Sequence, residues 1–364
     1  MLNEVKRSIR LGILLFFGII FGNIYISKTL SKILEKKMNR IKIIIYSSVS
    51  TLIYYILMYI SIYLFPSFFN LLYYLLFLLL GFYINIILSS FIYYFILLFG
   101  KKLNKYINLF IFIGLGILLT IIGIINERGL NIEKIKIKCN NLKGNIKIAH
   151  LTDIHLGAAY GKNRVQKIIN LLKTEKDIDF IVITGDLVDA NIIITEEILE
   201  PFSQIKIPKY FVTGNHESYS TIENVLKIIK QSNITHIKNE NLIYENKLNL
   251  IGMDYTTNFN LIRNNLTYLI PKNNLINIFL HHVPLFHVKD LIKYNIFLFL
   301  SGHTHGGQLF PMHIIHYLSF ASYFGLYNYN NSNYIYIPSG TGTSGPLLRT
   351  FSRASIGIIN LEGV

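Results

Sequence analysis

The 364-residue chain is 52% hydrophobic and 15% charged, with 35 Lys and Arg against 20 Asp and Glu. Soluble domains average about 25% charged residues, so the composition speaks against a chain that is water-soluble throughout. Of the net +15, residues 1–129 hold 13 basic and 3 acidic side chains, a net +10; charge of this kind beside apolar runs is membrane-flanking rather than a nucleic-acid surface.

Four apolar runs occupy the first section: Leu11–Ser27, Ile43–Phe65, Leu71–Phe99 and Ile107–Ile125. Crossing a bilayer takes about 18 to 20 apolar residues, which three of the runs reach. The first is shorter, carries Asn23 and follows the basic leader KRSIR, which would suit a signal peptide; no small-residue cleavage pattern follows, so retention as an anchor is expected. No acidic residue lies inside the four runs, which argues against an ion-coupled transporter. The expectation is an all-α transmembrane section over 1–129 and a second domain over 130–364.

All eleven His and all seven Asp lie at or after position 150, so metal and acid–base chemistry belongs to the second section. Cys139 is the only cysteine, which excludes an intrachain disulfide and leaves the compartment open. From Asn131 the texture turns to short β-rich runs between amphipathic stretches. IKIAHLTDIH reads as a buried strand entering a loop, and VQKIINLLK has helical spacing. FIVITGDLVD and KYFVTGNHE repeat the strand-to-loop pattern, with helices expected near Ile193–Ile205 and Thr221–Gln231. Further strands are predicted at Leu248–Met253, Ile276–Leu280, Ile296–Leu300, Tyr334–Ile337 and Ile356–Asn360. Alternating βα units before a strand-rich half imply an α/β domain of two packed β-sheets flanked by helices.

Five polar clusters follow strand-like runs: Asp153-Ile-His155, Gly185-Asp186-Leu-Val-Asp189, Gly214-Asn215-His216-Glu217, His281-His282 and Gly302-His303-Thr-His305. A single loop Asp or His is usually a turn former or a hydrogen-bonded residue. Five in order, each at a strand end, can hold ligands on rigid backbone. Hydrolysis of an anionic phosphate ester needs charge neutralisation and an oriented hydroxide, which two metal ions about 3.5–4 Å apart supply. A bridging carboxylate, one Asn and several neutral imidazoles suit such a pair.

The series resembles the calcineurin-like metallophosphoesterases, whose pattern is DxH, GDxxD, GNH(D/E), an isolated His and GHxH. It resembles most the membrane-associated YkuE and YaeI-type bacterial branch, through HLGAAYG, GHTHGGQ and GTGTSGP. The resemblance covers about Asn145 to Asn360 and implies an αββα metallophosphoesterase domain with two divalent metal ions of the manganese, iron or zinc kind. It implies that Asp153, His155, Asp186 and His305 bind the first metal, and that Asp186 bridges to a second completed by Asn215, His282 and His303. His282 is preferred to His281 because it stands two residues before Pro284. His216 matches the general acid that protonates the leaving oxygen while a metal-bound hydroxide attacks. Asp189 and Glu217 are expected to support neighbouring loops or ligands. Where protein phosphatases carry a phosphate-gripping Arg after GDxxD, this chain has Ala190, so that activity is not expected.

Gly306, Gly307 and Gln308 are candidate donors beside the metals and Arg349 a candidate phosphate contact, with turn-forming and surface roles preferred. His150, His236, His287, His313 and His316 lack motif spacing. Phe310–Asn330 is read either as a lipid-contacting surface or, by preference, as a packed core insertion. The resulting expectation is a multi-pass protein of the cell membrane. Its extracytoplasmic domain would hydrolyse a phosphate ester or pyrophosphate of a small or lipid-linked molecule, with the bilayer as partner and no nucleic acid. A scaffold or sensor retaining the fold without turnover is the alternative.

Overall fold

A computed structural model of the chain describes residues 2–61, 70–99, 103–189, 195–219, 222–270 and 275–363. The expected end of the second apolar run at 62–65, the uncharged turn at 66–69, Lys101, Lys102, Ala190, and the starts of two predicted helices at Ile193 and Thr221 lie outside the described residues. The chain divides into two compact units, 1–122 and 123–364.

The first unit is helical: α1 (Leu2–Ile33), α2 (Arg40–Tyr59), α3 (Asn70–Phe99) and the larger part of α4 (Lys105–Arg128). The helices contain apolar stretches of 21, 20, 28 and 24 residues, each long enough to cross a hydrocarbon core. Asn39 caps α2, its Oδ1 accepting from Ile41 N–H at 2.9 Å, and Asn104 caps α4 in the same way at Tyr106. Leu14, Phe21, Ile41, Tyr46, Leu98 and Phe110 point outward, as suits helices solvated by lipid. Inside, Ile33, Ile86, Tyr93 and Phe112 pack together, and Ser89 donates to Phe112 O at 2.8 Å. The first run, the shortest of the four, belongs to a 32-residue helix, with a span-like stretch over Ile13–Ile33.

The second unit runs β1 (Asn131–Cys139), β2 (Asn145–Leu151), α5 (Lys162–Leu172), β3 (Phe180–Thr184), α6 (Glu196–Ser203), β4 (Lys209–Val212), α7 (Asn215–Tyr219), α8 (Ile222–Gln231) and β5 (Thr235–His236). It continues with β6 (Glu240–Tyr244), β7 (Leu248–Gly252), α9 (Phe259–Leu269), β8 (Ile276–Leu280), α10 (Val288–Lys293), β9 (Ile296–Leu300), α11 (Met312–Ser319), β10 (Gly325–Tyr329), β11 (Asn333–Ile337) and β12 (Ser355–Gly363). The strands form two six-stranded mixed sheets, ordered β1-β12-β2-β3-β4-β5 and β10-β11-β9-β8-β7-β6. Their inner faces bury Ile146, Ile148, Phe180 and Val182 against Leu248, Leu250, Ile278, Leu298 and Tyr336. Alternation along each strand sends the other side chains to the outer faces. There, Phe279, Phe299 and Ile335 meet Ile262 and Leu266 of α9 and Leu291 of α10. The fold is therefore two packed sheets flanked by helices, as expected.

The parallel strands decide where chemistry can collect. In one sheet β2, β3 and β4 are parallel neighbours, with Leu151 level with Ile183 and Thr184 with Val212. In the other, β8 and β9 are parallel with Leu280 level with Leu300. Their carboxyl ends lie along two facing edges, and every polar motif follows one of those ends.

Candidate metal centre

Asp153 and His155 follow β2, Asp186 and Asp189 follow β3, Asn215 and His216 open α7 after β4, His282 follows β8, and His303 and His305 follow β9. The loops after β2, β3 and β9 turn sharply. Asp153, His155, Asp186, His303 and His305 all have positive φ between 51° and 73°, a region that L-residues occupy only when the surroundings hold them there. Two glycines permit the crowding: a Cβ on Gly214 would collide with Asp186 Oδ1, and one on Gly302 with Thr152 Oγ1.

These turns bring together the residues singled out from the sequence. Asp153, His155 and His305 form one group of ligand-capable atoms within 4.8 Å of one another, and Asp186, His282 and His303 form another. His155 and His216 form a third group with Asp186, which thus belongs to two of the three. Asp153 and Asp186 are buried, and among the described residues their ion-pair partners are histidines. Each carboxylate is anchored by backbone: His303 N–H donates to Asp153 Oδ1 at 3.0 Å, and His216 N–H donates to Asp186 Oδ1 at 2.9 Å.

The donor set fits divalent cations. His282 Nδ1 lies 2.8 Å from Thr184 O, so this nitrogen carries the hydrogen and Nε2 is left facing Asp186 Oδ2 at 3.2 Å and His303 Nδ1 at 3.2 Å. His155 Nε2 and His305 Nε2 likewise approach to 3.2 Å. Clustered lone pairs of this kind need shared protons or cations between them. Asn215 Oδ1 is buried without a hydrogen-bond partner, a state that a ligand role would satisfy. Mixed imidazole, carboxylate and amide donors suit zinc, iron or manganese. His281 lies outside these groups: its Nδ1 donates to Val283 O at 2.9 Å and its ring lies parallel to that of Phe279.

Electrostatics follow from the two buried carboxylates. Burial pulls His216 and His282 down, but the Asp186 carboxylate beside both overrides it and raises each to about 9. Burial and the adjacent His282 push His303 down to about 3. A cation in this pocket would displace the proton that the raised His282 imidazole holds. His216 Nδ1 is 3.0 Å from Asp189 Oδ1, which leaves Nε2 turned toward Asp186 Oδ2 at 4.0 Å.

Two supporting residues have larger parts than the sequence suggested. The fully buried Glu217 carboxylate ties the β3 and β4 loops together, accepting from Asp186 N–H at 2.9 Å, Val188 N–H at 3.1 Å and Gly214 N–H at 2.6 Å. Arg349, read as a surface residue or phosphate contact, is instead completely buried. Its guanidinium donates to His305 O at 2.9 Å, Ser339 O at 2.7 Å and Gly342 O, so it fastens the GTGTSGP loop to a candidate ligand. Nothing in one sequence marks such an Arg, because arginine is seldom buried without a paired carboxylate. Gln308 acts similarly, donating to Pro346 O at 2.7 Å and accepting from Ser344 N–H. His150 bonds Thr184 Oγ1 within the core, and His236 pairs with Asp254 at 2.7 Å.

Comparison with known proteins supplies an independent line. The sequence profile described as calcineurin-like phosphoesterase matches residues 146–307. The chain is 33% identical to an uncharacterised metallophosphoesterase of Helicobacter pylori over 69% of this chain and 70% of that protein. It is 32% identical to another from Campylobacter jejuni over 64% of this chain and 63% of the relative. It is also 32% identical to a bovine transmembrane protein with metallophosphoesterase domain, over 58% of this chain and 52% of that protein.

Proposed function

The chain belongs to the calcineurin-like metallophosphoesterase family, and we propose that it is a membrane-anchored hydrolase of phosphate esters or pyrophosphates carried by lipid-linked or envelope molecules. The observation that carries this reading is the convergence of the groups Asp153, His155, His305 and Asp186, His282, His303, linked through the further grouping of His155 with Asp186, at the carboxyl ends of parallel strands from both sheets. In this reading Asp153, His155, Asp186 and His305 hold one cation, and Asp186, Asn215, His282 and His303 hold the other. When bound, two such ions would neutralise phosphate charge and lower the pKa of a coordinated water. His216, held through Nδ1 by Asp189, gives the proton on Nε2 to the departing oxygen. Glu217 and Arg349 position the ligand loops from behind. The division at 129/130 assigns anchoring to the first part and hydrolysis to the second; four span-length helices and the transmembrane relative support the anchoring.

The test is purification of the full chain in detergent, elemental analysis, and turnover of monoesters, diesters and lipid pyrophosphates after loading with manganese, iron or zinc. About two metals per chain and metal-dependent hydrolysis are expected, and Asp186→Asn, which weakens the shared ligand, should lose both. Full activity in a metal-free, chelated protein would overturn the reading. Loaded metals with no turnover on any class would favour a scaffold or sensor.

A further inference from the structure

Helix α11 is amphipathic in the wrong sense for a helix in water. None of its residues is buried, so the expectation of a packed core insertion over 310–330 fails for this helix, while Tyr327 and Tyr329 of β10 do pack against the core. Its inward positions are histidines: a Cβ on Gly307 would meet His313, and His316 lies beside Phe320, whose ring in turn faces that of His303. Its outward positions are apolar, with Ile314 and Ile315 at 45% and 44% exposure, Tyr317 at 69% and Leu318 at 78%. Phe324 and Phe351 extend the same exposure, and the Phe351 ring lies 5.0 Å from that of His313, tilted by 45°. A soluble surface helix turns such side chains to the core, whereas a helix lying in a membrane interface turns them outward into lipid.

The same unit carries the end of a span-length helix. Residues 123–128, the end of the fourth span-length helix, fold with the second unit. There Leu348 packs where Gly123 lacks a side chain, and Arg349 N–H donates to Gly123 O at 2.9 Å. Three residues along the same loop is Phe351, which touches α11. The apolar face is thus linked by one short loop to the point at which the domain joins a membrane helix, and only Gly129 and Leu130 separate α4 from β1.

We propose that α11 is an interfacial helix whose outer face enters a lipid leaflet beside the metal centre, so that the site takes phosphate groups borne by membrane lipids. The lipid contact stands on the exposed face and on its tie, through the Leu348–Phe351 loop, to the end of a span-length helix; the substrate class rests on the phosphoesterase reading above. Thr304, between the candidate ligands His303 and His305, bonds Tyr323 O just beyond the helix, so a lipid held against α11 would have its headgroup next to the metal loop.

The chain contains no tryptophan, so Leu318→Trp in the full-length protein introduces a single reporter. In nanodiscs of phosphatidylcholine its emission should shift to the blue and be quenched when the acyl chains carry bromine. Tyr268→Trp, on α9 at a position 86% exposed, should respond to neither. The double variant Ile315→Ser with Leu318→Ser should keep turnover of a soluble aryl phosphate and raise the apparent KM for phosphatidic acid in vesicles about tenfold. An introduced indole open to acrylamide and indifferent to brominated lipid overturns the proposal. A blue-shifted indole that brominated lipid fails to quench also overturns it, in favour of a protein partner or second copy. Quenching by brominated lipid without hydrolysis of either substrate upholds the contact and rejects the phosphoesterase reading.

Discussion

His216 stands between two carboxylates, and its two nitrogens divide the work. Asp189 fixes Nδ1 at 3.0 Å, and Nε2 is then the only ring nitrogen that can meet a departing oxygen. If proton delivery is its function, the loss on removal depends on the leaving group. His216→Ala should lower turnover by roughly 10²–10⁴-fold on an alkyl phosphate and far less on a nitrophenyl ester, whose oxygen leaves without a proton. Metal content, measured alongside, should stay near that of the wild type; equal losses on both esters together with metal loss would make His216 a ligand instead. The ligand-capable residues were legible because each motif pairs a strand end with fixed spacing. The partner of His216 was not, since GDLVD gives Asp189 the same appearance whether it braces a loop or holds an imidazole.

At the level of elements, the strands that face both sheets were the easiest to read. Ile296–Leu300 is an unbroken apolar run and Ile276–Leu280 is interrupted only by Asn277, each bounded by polar loops, and the strands occupy those residues. β1 was harder, because Ile135, Ile137 and Cys139 alternate with lysines along a sheet edge and bury only one side. α11 defeated periodicity for a physical reason: the rule assumes that apolar residues turn inward, and here they turn outward. The junctions between elements were hidden as well, because backbone donors leave no mark in sequence. Glu217 satisfies three N–H groups from two loops with one buried carboxylate, and Gln in its place offers one accepting oxygen and a surplus donor. Glu217→Gln should therefore destabilise the second unit by about 2 kcal/mol, lowering the melting temperature of the detergent-solubilised protein by several degrees. An unchanged melting temperature would show that the two loops are held without it.

For the molecule as a whole, the open matter is the side of the membrane on which hydrolysis would occur, and charge beside the spans is the evidence that bears on it. Residues 28–42 carry six Lys or Arg and 100–106 carry three, whereas 66–70 carry none. Cytoplasmic retention of the two basic loops puts the second unit outside. If the first helix did not cross, residues 1–42 would stay inside and the other three helices would still end outside. Against this stand Arg128, Lys134, Lys136, Lys138 and Lys143 just after the last span, which with Lys6, Arg7 and Arg10 make eight outside charges against nine inside. The structure reduces their weight. Lys134 is paired with Glu175 at 2.9 Å and Lys136 with Glu362 at 3.3 Å, both on a strand of a folded domain, and domains are translocated largely regardless of charge. The expected outcome is that protease added to intact cells or protoplasts digests the second unit and leaves the helical section protected. A unit that resists until the membrane is permeabilised would reverse the orientation and direct the search for substrate to cytoplasmic phosphate esters.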